Sequence, residues 1–211
     1  RGGLPWSLCL FYAAQVVLAL EYLHKRRIIY RDLRPDNVVL DELGNAVIVD
    51  MGSVQTADYV PPFDANRYPD YIPPECAKGN PYSEVSDWWS LGVFLFELLT
   101  GTHPFTPDQE QTTQQKIEKG EIQFPDSFPS DAKSLISGLV EPDPSKRLGA
   151  ARSFEITDHP YFADINWIMM SNGEINTPIV PVQHSSDLIE KSSSSNDEPS
   201  AMSGSPIHDR I

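Results

Sequence analysis

The stretch Tyr30-Arg31-Asp32-Leu33-Arg34-Pro35-Asp36-Asn37 decides how this chain is read. It sits between a helix and a two-stranded element, with Asp32 and Asn37 on one tight loop, and its neighbours say what holds it. Before it, Leu8–His24 is apolar on most faces and reads as a long buried helix. Lys25-Arg26-Arg27 follows, placing cations at the carbonyl end of that helix, where its dipole favours them. Ile28-Ile29-Tyr30 is a short strand-like run. After it, Val38-Val39-Leu40 and Ala46-Val47-Ile48-Val49 read as two strands, with Asp41–Asn45 supplying the turn. A hairpin from Val38 to Val49 returns the chain, so Asp50 should come to face Asp32 and Asn37.

The rest of the chain is mostly helical in pattern. Residues 50–75 are rich in Pro, Asp and Tyr, show no sustained period, and read as a long loop of the kind that is functional or disordered. Ser86/Asp87 open a strongly apolar helix, Trp88–Leu99, which ends at Thr100-Gly101. Pro107–Lys119 reads as a polar helix with Gly120 past its end. Ser130-Asp131 caps another helix running to about Val140, and Ser153–His159 forms a last short one. After Trp167, Ser, Asp, Glu and Pro take over, and residues 171–211 have too few apolar groups to offset their ordering entropy. The organisation expected is one packed domain, 1–170, and a disordered acidic Ser-rich tail, 171–211.

Composition narrows the classes of function. The 211 residues carry a net charge of −14 and no basic stripe, which argues against nucleic-acid binding and for cationic partners. Cys9 and Cys76 lie far apart and form neither a C-x-x-C pair nor a zinc spacing, which suits a reducing, cytoplasmic setting. Leu4–Leu23 is apolar enough to raise the question of a membrane span. Pro5, Ser7, Gln15 and Glu21 interrupt it, so a core helix is the better reading.

Three further motifs follow the opening stretch in order: Asp50-Met51-Gly52, Pro73-Pro74-Glu75, and Asp87-Trp88-Trp89-Ser90-Leu91-Gly92. With Asp143-Pro144-Ser145-Lys146-Arg147-Leu148-Gly149 and His159-Pro160-Tyr161-Phe162, they resemble the catalytic domain of AGC-group Ser/Thr protein kinases. The cyclic-nucleotide-dependent kinases are nearest. The resemblance covers roughly residues 8–168 and implies an α+β, protein-kinase-like fold: a mainly helical C-terminal lobe with a small β-hairpin element. It implies transfer of the γ-phosphoryl group of ATP to a protein Ser/Thr hydroxyl, with Mg²⁺. Such chemistry needs alignment and charge neutralisation more than covalent help. Asp32 would be the catalytic base, with Arg34 and Asn37 beside it. Asn37 and Asp50 would hold the metal. Glu75 and Arg147 would form a buried ion pair, and Asp87 would brace the loop backbone. Arg31 would bind an anionic group on the activation loop, where Asp64 could stand in for a phosphate. Met51 would fill the place of an aromatic residue. Asp36 and Glu97, with Asp70, match acidic positions that receive a substrate arginine, so substrates with basic residues N-terminal to the Ser/Thr are expected.

The chain also departs from that pattern. No Gly-rich phosphate loop or strand lysine occurs in it, so the N-terminal ATP-gripping lobe is read as absent and the fragment alone as inactive. Arg34 stands in place of lysine, and a planar fork is not equivalent to a compact ammonium. Tyr68 occupies a place usually held by a small threonine. These departures leave an alternative, a pseudokinase or scaffold that binds partners without phosphoryl transfer.

Overall fold

The computed structural model describes residues 2–58 and 69–179. Two long helices organise it: α1 (Trp6–His24) and, after the short α2 (Pro74–Ala77), α3 (Glu84–Thr100). α1 buries Phe11, Tyr12, Ala13, Ala14, Val16, Val17 and Leu20, on more than one face, and packs on α3. It is the one helix among the described residues long and apolar enough to cross a membrane, and half of it is buried inside the protein. α3 buries an unbroken run, Ser86–Phe96, and lies against α1 on one side and α5 (Ser130–Leu139) on another. Gly92 permits that second contact, because a Cβ there would fall 2.8 Å from Val140 Cγ1 and 2.9 Å from Leu139 Cβ.

α3 begins earlier than its sequence suggests. Ser83 is the cap, and its amide donates to Ser86 Oγ (3.1 Å). Asp87 is therefore released from capping, and its carboxylate, in the first turn, turns to the loop it serves. α4 (Thr113–Lys119) begins later than the expected Pro107. Asp108 Oδ1 accepts from the amides of Glu110 and Gln111, both at 2.8 Å, which commits that stretch to a turn. The helix starts only where Thr112 and Gln115 cap each other reciprocally. At α5, Pro129 holds the cap position and Ser130-Asp131 fall within the first turn. α6 is confined to Phe154–Thr157, and α7 (Trp167–Ser171), capped by Asn166, lies where composition alone suggested the packed region was ending.

Four short strands frame the site. β2 (Val38–Leu40) and β3 (Ala46–Ile48) pair antiparallel in the register Val38↔Ile48, Val39↔Val47, Leu40↔Ala46. β1 (Ile28–Ile29) pairs with β4 (Gln55–Thr56), which the aperiodic stretch 50–75 conceals. The β2–β3 hairpin is held from α1: Gln15 Oε1 accepts from Ala46 N (2.7 Å) and Gln15 Nε2 donates to Asn45 Oδ1 (2.9 Å). On its other side, Thr177 Oγ1 donates to Leu43 O (2.5 Å). The packed chain thus continues beyond 170, while 180–211 lie outside the described residues. Met51 is 52 % exposed in this chain. Both cysteines are free and buried, and burial pushes each thiol up to about 12.

Candidate active site

The site is built around one buried carboxylate. Asp87 is fully buried and takes three donors or partners: Tyr30 N at 2.9 Å, Arg31 N at 2.8 Å and His24 Nε2 at 2.8 Å. Helix α3, the end of α1 and the loop are joined on that single group. The loop needs such support. Arg31 has φ 72° and Asp50 has φ 54°, left-handed conformations that non-glycine residues adopt only when the surroundings hold them there.

Beyond Asp87 the loop is ordered from within. A 3₁₀ turn at Pro35–Asn37 places Asn37 inward, and Asn37 Nδ2 donates to the carbonyl of Asp32 (2.8 Å). The hairpin ladder extends one step past β3, since Val49 N donates to Asn37 O (2.9 Å). That bond sets Asn37 beside residue 49 and brings Asp50 next to it. Tyr30 closes the arrangement, its hydroxyl donating to Val49 O (2.5 Å). The phenol's pKa is raised, first by burial and then by the carboxylates of Asp32, Asp50 and Asp87, so three acidic groups converge on one ring.

Those residues fit a magnesium ion. Among the described residues no group of three or more His, Cys, Asp or Glu could cage a metal. Mg²⁺ does not need one: it is commonly held by one or two protein oxygens, with phosphates and water completing its shell. With Nδ2 engaged by Asp32, Asn37 keeps Oδ1 as an acceptor. Asp50 is exposed, and its Oδ1 accepts from the Gly52 amide (3.1 Å).

Arg34 lies between two roles. Its Nη1 donates to Asp36 Oδ2 (2.8 Å) and its Nε lies 3.5 Å from Asp32 Oδ1. Asp36 and Glu97 line one cleft of about 300 Å³ at the C-terminal end of α3, which Pro35 and Tyr71 also line. Tyr71 donates its hydroxyl to both Glu97 oxygens at 3.0 Å. Burial nevertheless raises the Glu97 pKa above its ordinary 4.5, with repulsion from Asp36 adding to it and the tyrosine opposing. Asp70 is exposed and lies outside that cleft, beside His103, whose pKa burial lowers and Asp70 raises.

The pair Glu75–Arg147 lies in the core. Arg147 donates Nη1 and Nη2 to the two Glu75 oxygens (2.7 and 2.8 Å), Nε to Glu141 O and Nη1 also to Val85 O. Ser86 Oγ donates to Glu75 as well (3.0 Å). A buried ion pair is tolerable only when its remaining donors are satisfied in this way. The Arg31 guanidinium lies 5.7 Å from the Tyr82 ring centre, and its expected neighbour Asp64 is outside the described residues, as is Tyr68.

Sequence reasoning did not assign roles to His24, Tyr30 or Tyr71. Tyr30 lies inside the motif and was a visible candidate. His24 and Tyr71 are joined to their carboxylates across 63 and 26 residues, and no local pattern reports that.

Comparison with known proteins gives the class. The family model for the protein kinase domain matches residues 2–162, and the chain belongs to that family. Among curated relatives, it is 41 % identical over 181 residues to cAMP-dependent protein kinase type 3 of Saccharomyces cerevisiae, covering 84 % of this chain and 45 % of the relative. It is 39 % identical over 184 residues to the cAMP-dependent protein kinase catalytic subunit of Dictyostelium discoideum, covering 86 % and 28 %. Protein kinase C, eye isozyme, of Drosophila melanogaster is 39 % identical over 194 residues, covering 89 % and 27 %. The chain spans less than half the length of each of these relatives.

Proposed function

We propose that this chain carries the phosphoryl-transfer side of a serine/threonine protein kinase that prefers basic substrates. The observation that supports the reading most is the set of bonds that ties the loop to the segment before Asp50: Asn37 Nδ2 donates to Asp32 O, Val49 N donates to Asn37 O, and Tyr30 bonds both Val49 O and Asp87. Bound Mg·ATP would supply the transferable phosphoryl group and the cation that offsets its charge. The roles left to the chain are positional. Asp32 faces the incoming hydroxyl and accepts its proton. Asn37 Oδ1 and Asp50 hold the metal. Arg34, close to Asp32, keeps a positive charge at the reacting end. Arg31 and Asp64 are proposed as the anchor of the activation segment, with Glu75, Asp87 and Arg147 as its structural support.

The cleft of Asp36 and Glu97 supports the substrate preference. Carboxylates pair with guanidinium through strong charge-assisted bonds, and Glu97 is held ready by Tyr71. Asp70, outside the cleft and beside His103, is proposed as a further acidic group for a basic substrate. A cytoplasmic setting belongs to the same reading, supported by the two buried free thiols.

The test is a phosphorylation assay on the full-length protein with an arginine-containing Ser peptide, comparing wild type with Asp32→Asn. General-base loss lowers rates by about 10²- to 10⁴-fold. A drop of that size with unchanged thermal stability is expected. Equal rates would exclude Asp32 as the base.

A further inference from the structure

One stretch of the acidic cleft is lined by two glycines and a leucine. Gly2, Gly3 and Leu4 contribute to it together with Asp36, Tyr71 and Glu97. The stretch is fixed in place: Leu4 N donates to Leu98 O (2.7 Å), and Cys9 Sγ donates to Leu4 O (3.6 Å). It lies so close to the end of α3 that a Cβ on Gly3 would fall 2.0 Å from Leu99 O and 2.6 Å from Thr100 N. Only glycine allows that approach. At Gly2 the situation is the reverse, because a Cβ there would meet nothing within 4 Å. Position 3 is closed by the helix end, while position 2 lines the cleft and has room for a side chain.

The charge of the cleft gives this opening a consequence. Asp36 and Glu97 contribute two carboxylates, and Arg34 is the cation bonded to Asp36. The carbonyl end of α3, which also favours a cation, lies at the same place. A guanidinium entering beside Glu97 would share the cleft with Gly2, which carries no side chain of its own.

We propose that Gly2 is a specificity-determining position of the cleft, and that the side chain at residue 2 sets how strongly the cleft takes a substrate arginine. The proposal rests on the reading of this cleft as the basic-substrate site. It implies that a carboxylate introduced at residue 2 strengthens the preference and a cation weakens it, with no change in the chemical step.

The experiment uses the full-length protein and two synthetic peptides that differ only by Arg or Ala N-terminal to the phosphorylated Ser. KM and kcat are measured for Gly2→Glu, Gly2→Arg and, as reference, Glu97→Gln. From charge interactions near a protein surface, Gly2→Glu should lower KM for the Arg peptide about three-fold and Gly2→Arg should raise it about ten-fold. kcat and the Ala-peptide constants should stay put. If both variants move KM in the same direction, or move both peptides alike, the proposal is overturned. A wild type without preference for the Arg peptide, or a Glu97→Gln that keeps it, overturns the cleft reading itself. If Glu97→Gln erases the preference while the residue 2 variants change nothing, the assignment of Gly2 alone fails. Gly3→Ala checks the seating: it should lower Tm by several degrees, and an unchanged Tm would mean the stretch is not held on α3 and would overturn the proposal.

Discussion

Asp87 and Glu97 sit at opposite ends of α3, and the helix treats them in opposite ways. Asp87 is in the first turn, near the positive end of the helix dipole, fully buried and bonded by Tyr30 N, Arg31 N and His24. Glu97 is in the last turns, where the dipole opposes a negative charge. Among the described residues Tyr71 donates to it, and burial raises its pKa. The first carboxylate is satisfied by the fold itself. The second, held by the Tyr71 hydroxyl, is the one proposed above to take a cation.

That contrast can be broken most severely at Asp87. Asp87→Ala leaves two buried amides without acceptors, at about 1–3 kcal/mol each. Chemical denaturation of the full-length protein should show a loss of about 3–5 kcal/mol, accompanied by loss of activity. A variant of normal stability would mean the loop does not depend on that carboxylate. At the other end, Glu97→Gln should leave stability unchanged. It removes one charge-assisted contact, so KM for an arginine peptide should rise about ten- to a hundred-fold with kcat kept. A fall in kcat instead would put Glu97 with the chemistry rather than with binding.

A pH series sharpens the comparison further. The raised pKa means that Glu97 takes up its proton above the ordinary 4.5, so it stops accepting a cation before an exposed carboxylate would. KM for the arginine peptide should therefore begin to climb at a higher pH on acidification than carboxylates in general would give. The smallest effect expected is that of Tyr71→Phe. Removing the hydroxyl takes away the one group that lowers the Glu97 pKa, so the climb should start at higher pH still, with a few-fold change near neutrality. A profile that does not move would show that Tyr71 packs against Glu97 without tuning it.

Much of this was legible in the chain. The loop Tyr30–Asn37, the hairpin behind it and the apolar helices are local patterns, and their physics is local as well. What escaped depends on partners distant in sequence. β4 is two residues, Gln55–Thr56, with no apolar signal, and it exists because β1 offers a ladder. α4 was misplaced because Pro107 resembled a helix start, although Thr112 and Gln115 carried the capping signal in plain sight. Within the site, residue types and order were readable, but Tyr71 holding Glu97 and His24 holding Asp87 are facts of packing. Arg34 shows a further limit: its bridge between Asp32 and Asp36 couples two positions that the motif presents as separate.

The bonds to Asp87 also bear on how the protein is made. The loop amides of Tyr30 and Arg31 find their acceptor 57 and 56 residues later in the chain. During synthesis, from the N-terminus at a limited rate, that acceptor does not yet exist when the loop leaves the ribosome. The strained turn at Arg31 has nothing to hold it until α3 has been made and docked. The loop Tyr30–Asn37 is therefore translated well before the helix that holds it and is among the last parts of this region to take its final form.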